Sequence, residues 1–166
     1  MTRYTRPVIL GSILGVALTL AAQQPATPKL TPLTLDGYNK LIAAHKGRVV
    51  LATFWATYCI PCRAEIPELV KLAAQLRPRG LDLVVVSGDD PDQAAQALKF
   101  IAPKVPAGPL YIKSSDDDDK YAAGIHPRWQ GELPANFVYD RTGRKVGAFM
   151  GEVPTKNIQD VIEKFL

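Results

Sequence analysis

The chain has 166 residues, of which 47% are apolar and 22% charged, the balance of a folded globular chain rather than a disordered one. Its net charge is +4, with no dense lysine and arginine stripe interleaved with aromatics, so a nucleic-acid-binding surface is not indicated. A single long apolar stretch excludes a bundle of membrane helices. Two cysteines are too few for a four-cysteine zinc site or a disulfide-stapled miniprotein.

The N-terminus reads as an address. Arg3 and Arg6 precede the apolar run Val8–Ala22, which is interrupted only by Gly11, Ser12, Gly15 and Thr19; the polar Gln23-Gln24-Pro25 follows. Basic, apolar, small and then polar is the layout of a secretory signal, with cleavage expected after Ala21 or Ala22. The alternative is an uncleaved anchor helix, although the run is shorter than the ~20 residues that a span prefers. No cysteine follows the run, which argues against a lipoprotein anchor, and Arg3 and Arg6 are not adjacent, which argues against a twin-arginine signal. Both readings place the folded part outside the cytoplasm, where a disulfide persists. The expected organisation is a signal or anchor over 1–22, a proline-rich linker over 23–32 and one domain over 33–166.

Leu33-Thr34-Leu35 reads as a short strand, and Asp36 as the cap of a helix running from Gly37 to His45 and stopped by Gly47. Val49 to Trp55 is apolar, β-branched and aromatic throughout, the pattern of a strand buried on both faces. A helix starts near Cys59, with Ile66, Leu69, Val70 and Ala73 on one face, Pro67 predicting a kink or a slow first turn, and Arg77-Pro78-Arg79-Gly80 a stop. Leu81 to Ser87 is a second buried strand. Pro91 opens a helix with Ala94, Leu98 and Ile101 facing inward. Leu110-Tyr111-Ile112 is a short strand and Asp117 to Gly124 a short helix. Phe137 to Asp140 and Lys145 to Phe149 flank Arg141-Thr142-Gly143-Arg144 as a hairpin. Pro154 opens a last helix carrying Ile158, Val161, Ile162 and Phe165. Strands joined through helices pair in parallel and the hairpin is antiparallel, so the predicted fold is α/β: one mixed sheet with helices on both faces.

The chemistry concentrates at Cys59 and Cys62. Phe54-Trp55-Ala56-Thr57-Tyr58-Cys59-Ile60-Pro61-Cys62-Arg63 leaves a buried strand and enters a helix. Thiols three positions apart stack at the helix start, where free backbone N–H groups and the helix dipole favour a thiolate, the attacking species in disulfide exchange. Cys59, outermost, is the candidate nucleophile and Cys62 the candidate resolving thiol. A structural disulfide and a copper(I) site on two thiolates are the alternatives. Zinc needs further ligands, and the only other soft candidates are His45, His126, Met1 and Met150.

The stretch FWATYCIPCRAEIP, Phe54 to Pro67, closely resembles the thioredoxin-fold thiol–disulfide oxidoreductases, more narrowly the exported TlpA/ResA type. Leu133-Pro134-Ala135-Asn136-Phe137-Val138-Tyr139-Asp140 followed by Thr142-Gly143-Arg144 resembles that family's second signature, in which a cis-proline opposite the dithiol precedes a hairpin. The resemblance spans roughly residues 30–166, and 91–133 corresponds to the extra strand and helix that this subgroup inserts. It implies a thioredoxin fold with Cys59 as nucleophile, Cys62 as resolving thiol and Pro134 as the cis-proline. Leu133 would offer its backbone to an extended partner segment, and Trp55, Ile60 and Pro61 would complete the substrate face, with Trp55 packing beside the dithiol and limiting its solvent access. One departure stands out. Thioredoxins proper carry a buried acid two residues before the Trp, and here that position is Thr53, which cannot ionise. Glu65, one turn beyond Cys62, is the substitute candidate for a proton relay, its alternative being a solvated helix-start carboxylate.

The remaining features read more simply. Asp116-Asp117-Asp118-Asp119-Lys120 matches a protease-cleavable tag, but suits the start of a helix and lacks the alternating pattern of a calcium loop. His126 is a surface loop residue or a proton handler near Pro134, and His45 a surface residue at a helix end. Trp129 is read as core or loop packing. The Pro-x-x-x-Thr-x-x-Cys arrangement of peroxiredoxins is absent before Cys59, so a peroxidase is not indicated.

The resemblance thus implies an exported oxidoreductase that reduces disulfides in extracytoplasmic proteins, such as apocytochrome c or copper-site assembly proteins. It would act as a monomer and be kept reduced by a membrane-embedded thiol electron donor. The dithiol is its own redox centre, so no metal, nucleotide or flavin is expected. An oxidase or isomerase of the same fold and a copper(I)-binding protein using the same thiolates are the alternatives.

Overall fold

The structure, a computed structural model, describes Met1 and residues 28–105 and 108–166. The signal or anchor expected over 1–22 lies, apart from Met1, outside the described residues. Among the described residues no helix is long and apolar enough to cross a membrane.

The elements in chain order are β1 (Leu30–Leu33), α1 (Leu35–Ala44), β2 (Val49–Trp55), α2 (Ile60–Leu76), β3 (Leu81–Ser87), α3 (Ala94–Ile101), β4 (Leu110–Lys113), α4 (Asp118–Ile125), β5 (Ala135–Tyr139), β6 (Lys145–Met150) and α5 (Thr155–Glu163). They build one six-stranded sheet in the order β1-β4-β3-β2-β5-β6. The pairs β1–β4, β4–β3 and β3–β2 are parallel, while β2–β5 and β5–β6 are antiparallel. This is the mixed α/β sheet expected from the sequence, with β4 and α4 inserted between α3 and the hairpin.

Every residue of β2 is buried, as its unbroken apolar run predicts for a strand covered on both faces. Even-numbered Val50, Ala52 and Phe54 pack beneath α1 and α4 with Tyr38, Ile42, Tyr121 and Ile125. Val49 and Leu51 face α2 and α5 with Leu69, Leu72, Ile158 and Ile162. Trp55, continuing the same alternation, packs with Cys59 and Cys62 and with Ala97 and Ile101 of α3. Burying an isoleucine such as Ile158 or Ile162 contributes roughly 2 kcal/mol.

Local details differ from the sequence pattern in three places. The first strand is Leu30–Leu33, not Leu33–Leu35. Pro32 made this stretch look like linker, yet β1 is an edge strand, where proline is tolerated. The cap of α1 is Thr34, whose Oγ1 accepts from the Gly37 N–H at 3.1 Å, so Asp36 is left to pair with Lys40. In α3 the buried residues are Ala97 and Ile101, while Ala94 and Leu98 are only half-covered. Pro91 begins a separate 3₁₀ turn, Pro91–Gln93, so α3 starts at Ala94 and its inward stripe is set one position earlier than Leu98.

Strand direction positions the site. β2 and β3 are parallel, with Trp55 level with Ser87, so their carboxyl ends emerge side by side. β5 is antiparallel to β2, with Ala135 level with Phe54, so its beginning arrives at the same edge. Three loops therefore meet there: Ala56–Cys59, Gly88–Asp90 and the segment ending in Pro134.

Candidate functional site

Cys59 is the N-cap of α2, in extended backbone at φ −83° and ψ 99°, and Pro61 occupies the first turn, where its missing N–H costs nothing. The Cys62 N–H donates to Cys59 Sγ at 3.3 Å, and the Cys59 N–H donates to the Ala56 carbonyl at 3.1 Å. Cys59 and Cys62 form a disulfide, with Cα atoms 5.3 Å apart. Cys59 is 7% exposed and Cys62 0%, so an approaching group reaches Cys59 first. On reduction, a thiolate at Cys59 would keep the N–H of Cys62 and the positive end of a 17-residue helix, both of which stabilise negative charge.

Opposite the disulfide, the Leu133–Pro134 peptide bond is cis. Pro134 is buried, and its carbonyl accepts from the Gly151 N–H at 2.8 Å, which ties the loop to the end of β6. Leu133 is half-buried and packs on the cluster that holds both cysteines.

Two buried polar side chains brace the site, one in the loop after β3 and one on β5. Asp89 is fully buried and accepts from the Thr57 N–H, the Thr57 hydroxyl and the Ser87 hydroxyl, the last two at 2.6 Å. It thereby pins the segment that leads into Cys59. Asn136, on β5, is also fully buried and donates from Nδ2 to Glu65 Oε1 at 3.0 Å. Its Oδ1 has no partner. Glu65 is half-buried on α2, three residues after Cys62 and thus on the same side of the helix. Burial, the largest influence, raises its carboxyl above the ordinary range; the Asn136 hydrogen bond opposes this, and the charges of Glu68 and Glu152 add to the rise. These three carboxylates, with Pro61, Pro134 and Val153, line an open groove of about 510 Å³ beside the disulfide.

The residues singled out in the sequence fall into distinct places. Cys59, Cys62, Leu133 and Pro134 converge at the carboxyl edge of the sheet, with Pro61 and Glu65 along the groove. Ile60 is 79% exposed beside them. Trp55 packs beside the dithiol as expected, its ring 5.1 Å from that of Phe100, but at 1% exposure it offers no surface to a partner, which corrects its place on the substrate face. The alternation of β2 forces this, because Trp55 is the last inward residue of the strand. The aromatic that faces solvent beside Cys59 is Tyr58, 70% exposed.

Thr53 is buried on the α2 side, level with Asn136 in the strand register. The neighbourhood of the missing acid is therefore occupied by an amide that holds Glu65. Neither Asp89 nor Asn136 was singled out in the sequence, and the only signal was the polar residue itself in an apolar strand or at its end.

His126 lies on the opposite face of the sheet, stacked on Phe137 at 6.0 Å, with burial and then Lys145 and Arg128 holding its pKa below the ordinary value. His45 caps α1 and pairs with Asp82 at 2.8 Å. Trp129 is buried, donating from Nε1 to the Glu132 carbonyl. The acidic run caps α4: Asp117 accepts from the Lys120 N–H at 3.0 Å. Among the described residues no group of three or more His, Cys, Asp or Glu side chains is placed to hold a metal ion.

The model of the AhpC/TSA family matches residues 23–146 of the chain. Thiol-disulfide oxidoreductase ResA of Bacillus thuringiensis (strain Al Hakam) is 26% identical over 143 residues, which cover 82% of this chain and 75% of that protein. ResA of Halalkalibacterium halodurans is 26% identical over 130 residues, 78% of this chain and 69% of that one. Among solved structures, a thiol:disulfide interchange protein DsbE from Chlorobium tepidum is 25% identical with a TM-score of 0.59, covering 74% of this chain and 83% of that chain. A secreted thiol-disulfide isomerase from Corynebacterium glutamicum shares the fold at 22% identity and a TM-score of 0.63, covering 75% and 74% respectively. The thioredoxin fold implied by the two sequence signatures is thus the fold observed.

Proposed function

The chain belongs to the AhpC/TSA family and is a thiol–disulfide oxidoreductase of the thioredoxin fold, and on that premise we propose that it is exported and works as a reductase of disulfides in extracytoplasmic proteins. The observation that carries the reading is the Cys59–Cys62 pair at the mouth of α2, facing the Leu133–Pro134 loop. Peroxidase chemistry is not part of it: Ala52 and Ala56 stand where the peroxiredoxin motif ending at Cys59 requires Pro and Thr.

In the forward direction the Cys59 thiolate attacks one sulfur of the partner's disulfide. The Cys59–partner bond forms, the partner's S–S bond breaks, and the other partner sulfur leaves as a thiolate and takes a proton. Cys62 then loses its proton and attacks Cys59 Sγ, closing the Cys59–Cys62 disulfide and releasing the second partner thiolate. Glu65, held by Asn136 and with its pKa raised by burial, accepts the Cys62 proton and passes it to the departing sulfur. Ile60, Pro61, Leu133 and Pro134 form the surface on which the extended partner segment lies. The two electrons consumed per turnover are restored by a membrane-embedded thiol donor. Its partners are disulfide-containing exported proteins, apocytochrome c and copper-site assembly proteins being the kinds considered, and it acts as a monomer without a separate cofactor.

The test is the reduction potential of the Cys59–Cys62 couple, measured against glutathione, together with insulin-disulfide reduction. A potential below about −200 mV with active insulin reduction supports a reductase, whereas a potential near about −120 mV marks an oxidase. Export is checked on the protein recovered from cells: a mature N-terminus near Gln23 is expected, and a chain retained from Met1 in the membrane fraction would show an anchor instead.

A further inference from the structure

A second concavity lies beside the disulfide, distinct from the acidic groove. It is more enclosed and smaller, about 210 Å³. Its buried lining is mostly aromatic, Phe54, Tyr121 and Trp129 with Ala122 of α4 beside them, and the rings of Phe54 and Trp129 are 4.8 Å apart. Its outer lining is Tyr58, Gly88 and Leu133. Two of these belong to the reaction surface, since Tyr58 precedes Cys59 in the chain and Leu133 precedes Pro134. The cavity therefore opens onto the surface over which a partner's disulfide must pass.

Charged side chains line it as well: Lys113, which is mostly buried, Asp118 and Asp90. Lys113 is paired with Asp118 at 2.5 Å, and Asp90 is exposed. Burial raises the Tyr121 hydroxyl well above its ordinary value. That hydroxyl is also one of three buried side-chain polar atoms among the described residues that lack a hydrogen-bond partner. The volume is below the roughly 300–1,000 Å³ of sites that take a drug-sized molecule, and suits one side chain.

We propose that this cavity is a specificity subsite for the substrate polypeptide, taking an uncharged aromatic side chain with a polar edge, tyrosine or tryptophan, close in sequence to the cysteine under attack. The inference rests on the oxidoreductase reading and names the class of substrate that this reading leaves open. Aromatic walls favour a ring over an aliphatic chain through offset and edge-to-face contacts. The aromatic inner wall disfavours lysine or arginine, because a charge seated against it would lose its hydration. In an extended segment, side chains two residues apart point the same way, so the ring that enters the cavity belongs two positions from the cysteine that meets Cys59.

The experiment uses the full chain in its reduced form. Two peptides each carry one cysteine in disulfide linkage with thionitrobenzoate, whose release is followed by its colour. One has tyrosine two residues to either side of the cysteine and the other has alanine at both positions. The tyrosine peptide should react about tenfold faster or more, the effect of burying most of one ring. Ala122→Leu, which fills the cavity from α4, should bring the two rates close together. N-acetyltyrosinamide added to the unmodified protein should slow the tyrosine peptide selectively, a measurement independent of how the variant folds. Equal rates for both peptides, or a larger gain from arginine than from tyrosine at these positions, would overturn the subsite while the exchange itself upholds the oxidoreductase reading. Failure to react with either peptide would overturn that reading and the subsite with it.

Discussion

Asp89 holds Thr57 by three contacts: the Thr57 N–H reaches both carboxylate oxygens, at 3.0 and 3.1 Å, and the Thr57 hydroxyl reaches Oδ1 at 2.6 Å. A buried carboxylate that accepts several donors around it is a rigid clamp, and this one joins the end of β3 to Thr57, two residues before Cys59. Asp89 is a positioning residue, acting on the dithiol only through the loop.

Asp89→Asn replaces an acceptor with a group that is half donor, leaving one of the Thr57 or Ser87 donors without a partner. A loss of about 2 kcal/mol in urea unfolding is expected. The loosened loop should also slow attack by Cys59 several-fold with peptide disulfides, with a smaller effect on a small-molecule disulfide that needs no docking. Asp89→Ala, which abandons all three donors, should cost more in both measurements. Unchanged stability in both variants would show that the clamp contributes nothing.

Glu65 yields a prediction with a sign. Its carboxyl is raised above the ordinary range, mainly by burial, and it serves the resolving step in its ionised form. Release of the partner should therefore accelerate as pH rises through this raised value, and Glu65→Gln should remove that limb of the pH profile and slow release by about a hundredfold. Stability runs the other way. A carboxyl with a raised folded-state pKa binds more protons when folded, so its contribution falls as pH climbs from the unfolded value to the folded one. Glu65→Gln, which keeps an acceptor for Asn136, should melt no lower than the parent at neutral pH. A variant with a lower melting temperature and an unaltered pH profile would make Glu65 structural.

At the hairpin, Asp140 accepts from the hydroxyl and N–H of Thr142 and from the N–H and side chain of Arg144, and the Thr142 hydroxyl leads in holding its pKa down to about 2. The unfolded value is near 3.9. The stability that this carboxylate provides is complete above about pH 4 and is lost as pH falls to about 2. Thermal melts of the parent and of Asp140→Asn should accordingly differ at pH 5 and converge near pH 2. A constant difference across that range would contradict the assignment.

What the sequence disclosed was local. The seven apolar residues of β2, the cysteines at one-turn spacing and the proline before the hairpin each carry their meaning within a few positions, and their placement in the fold follows from strand direction. Asp89 and Asn136 escaped notice because their partners, Thr57 and Glu65, are 32 and 71 positions away, and an isolated polar residue in a sequence gives no direction. The aromatic cavity has the same character, assembled from β2, α4 and the loop before β5. The burial of Trp55 and the exposure of Tyr58 have a related cause. Two aromatics three positions apart both suggest a place beside the dithiol, and only the end of the strand decides which one turns inward.

The central claim is the division of labour between Cys59, capped at the helix mouth and reached first, and Cys62, sealed one turn further in. The most direct measurement is a trap. Cys62→Ala and Cys59→Ser are each produced in cells, thiols are quenched with acid, and covalent partners are separated under non-reducing conditions and identified by mass spectrometry. Cys62→Ala should hold partners through Cys59, because attack proceeds and release cannot. Cys59→Ser should hold none. Partners trapped by Cys59→Ser and absent from Cys62→Ala would contradict the account.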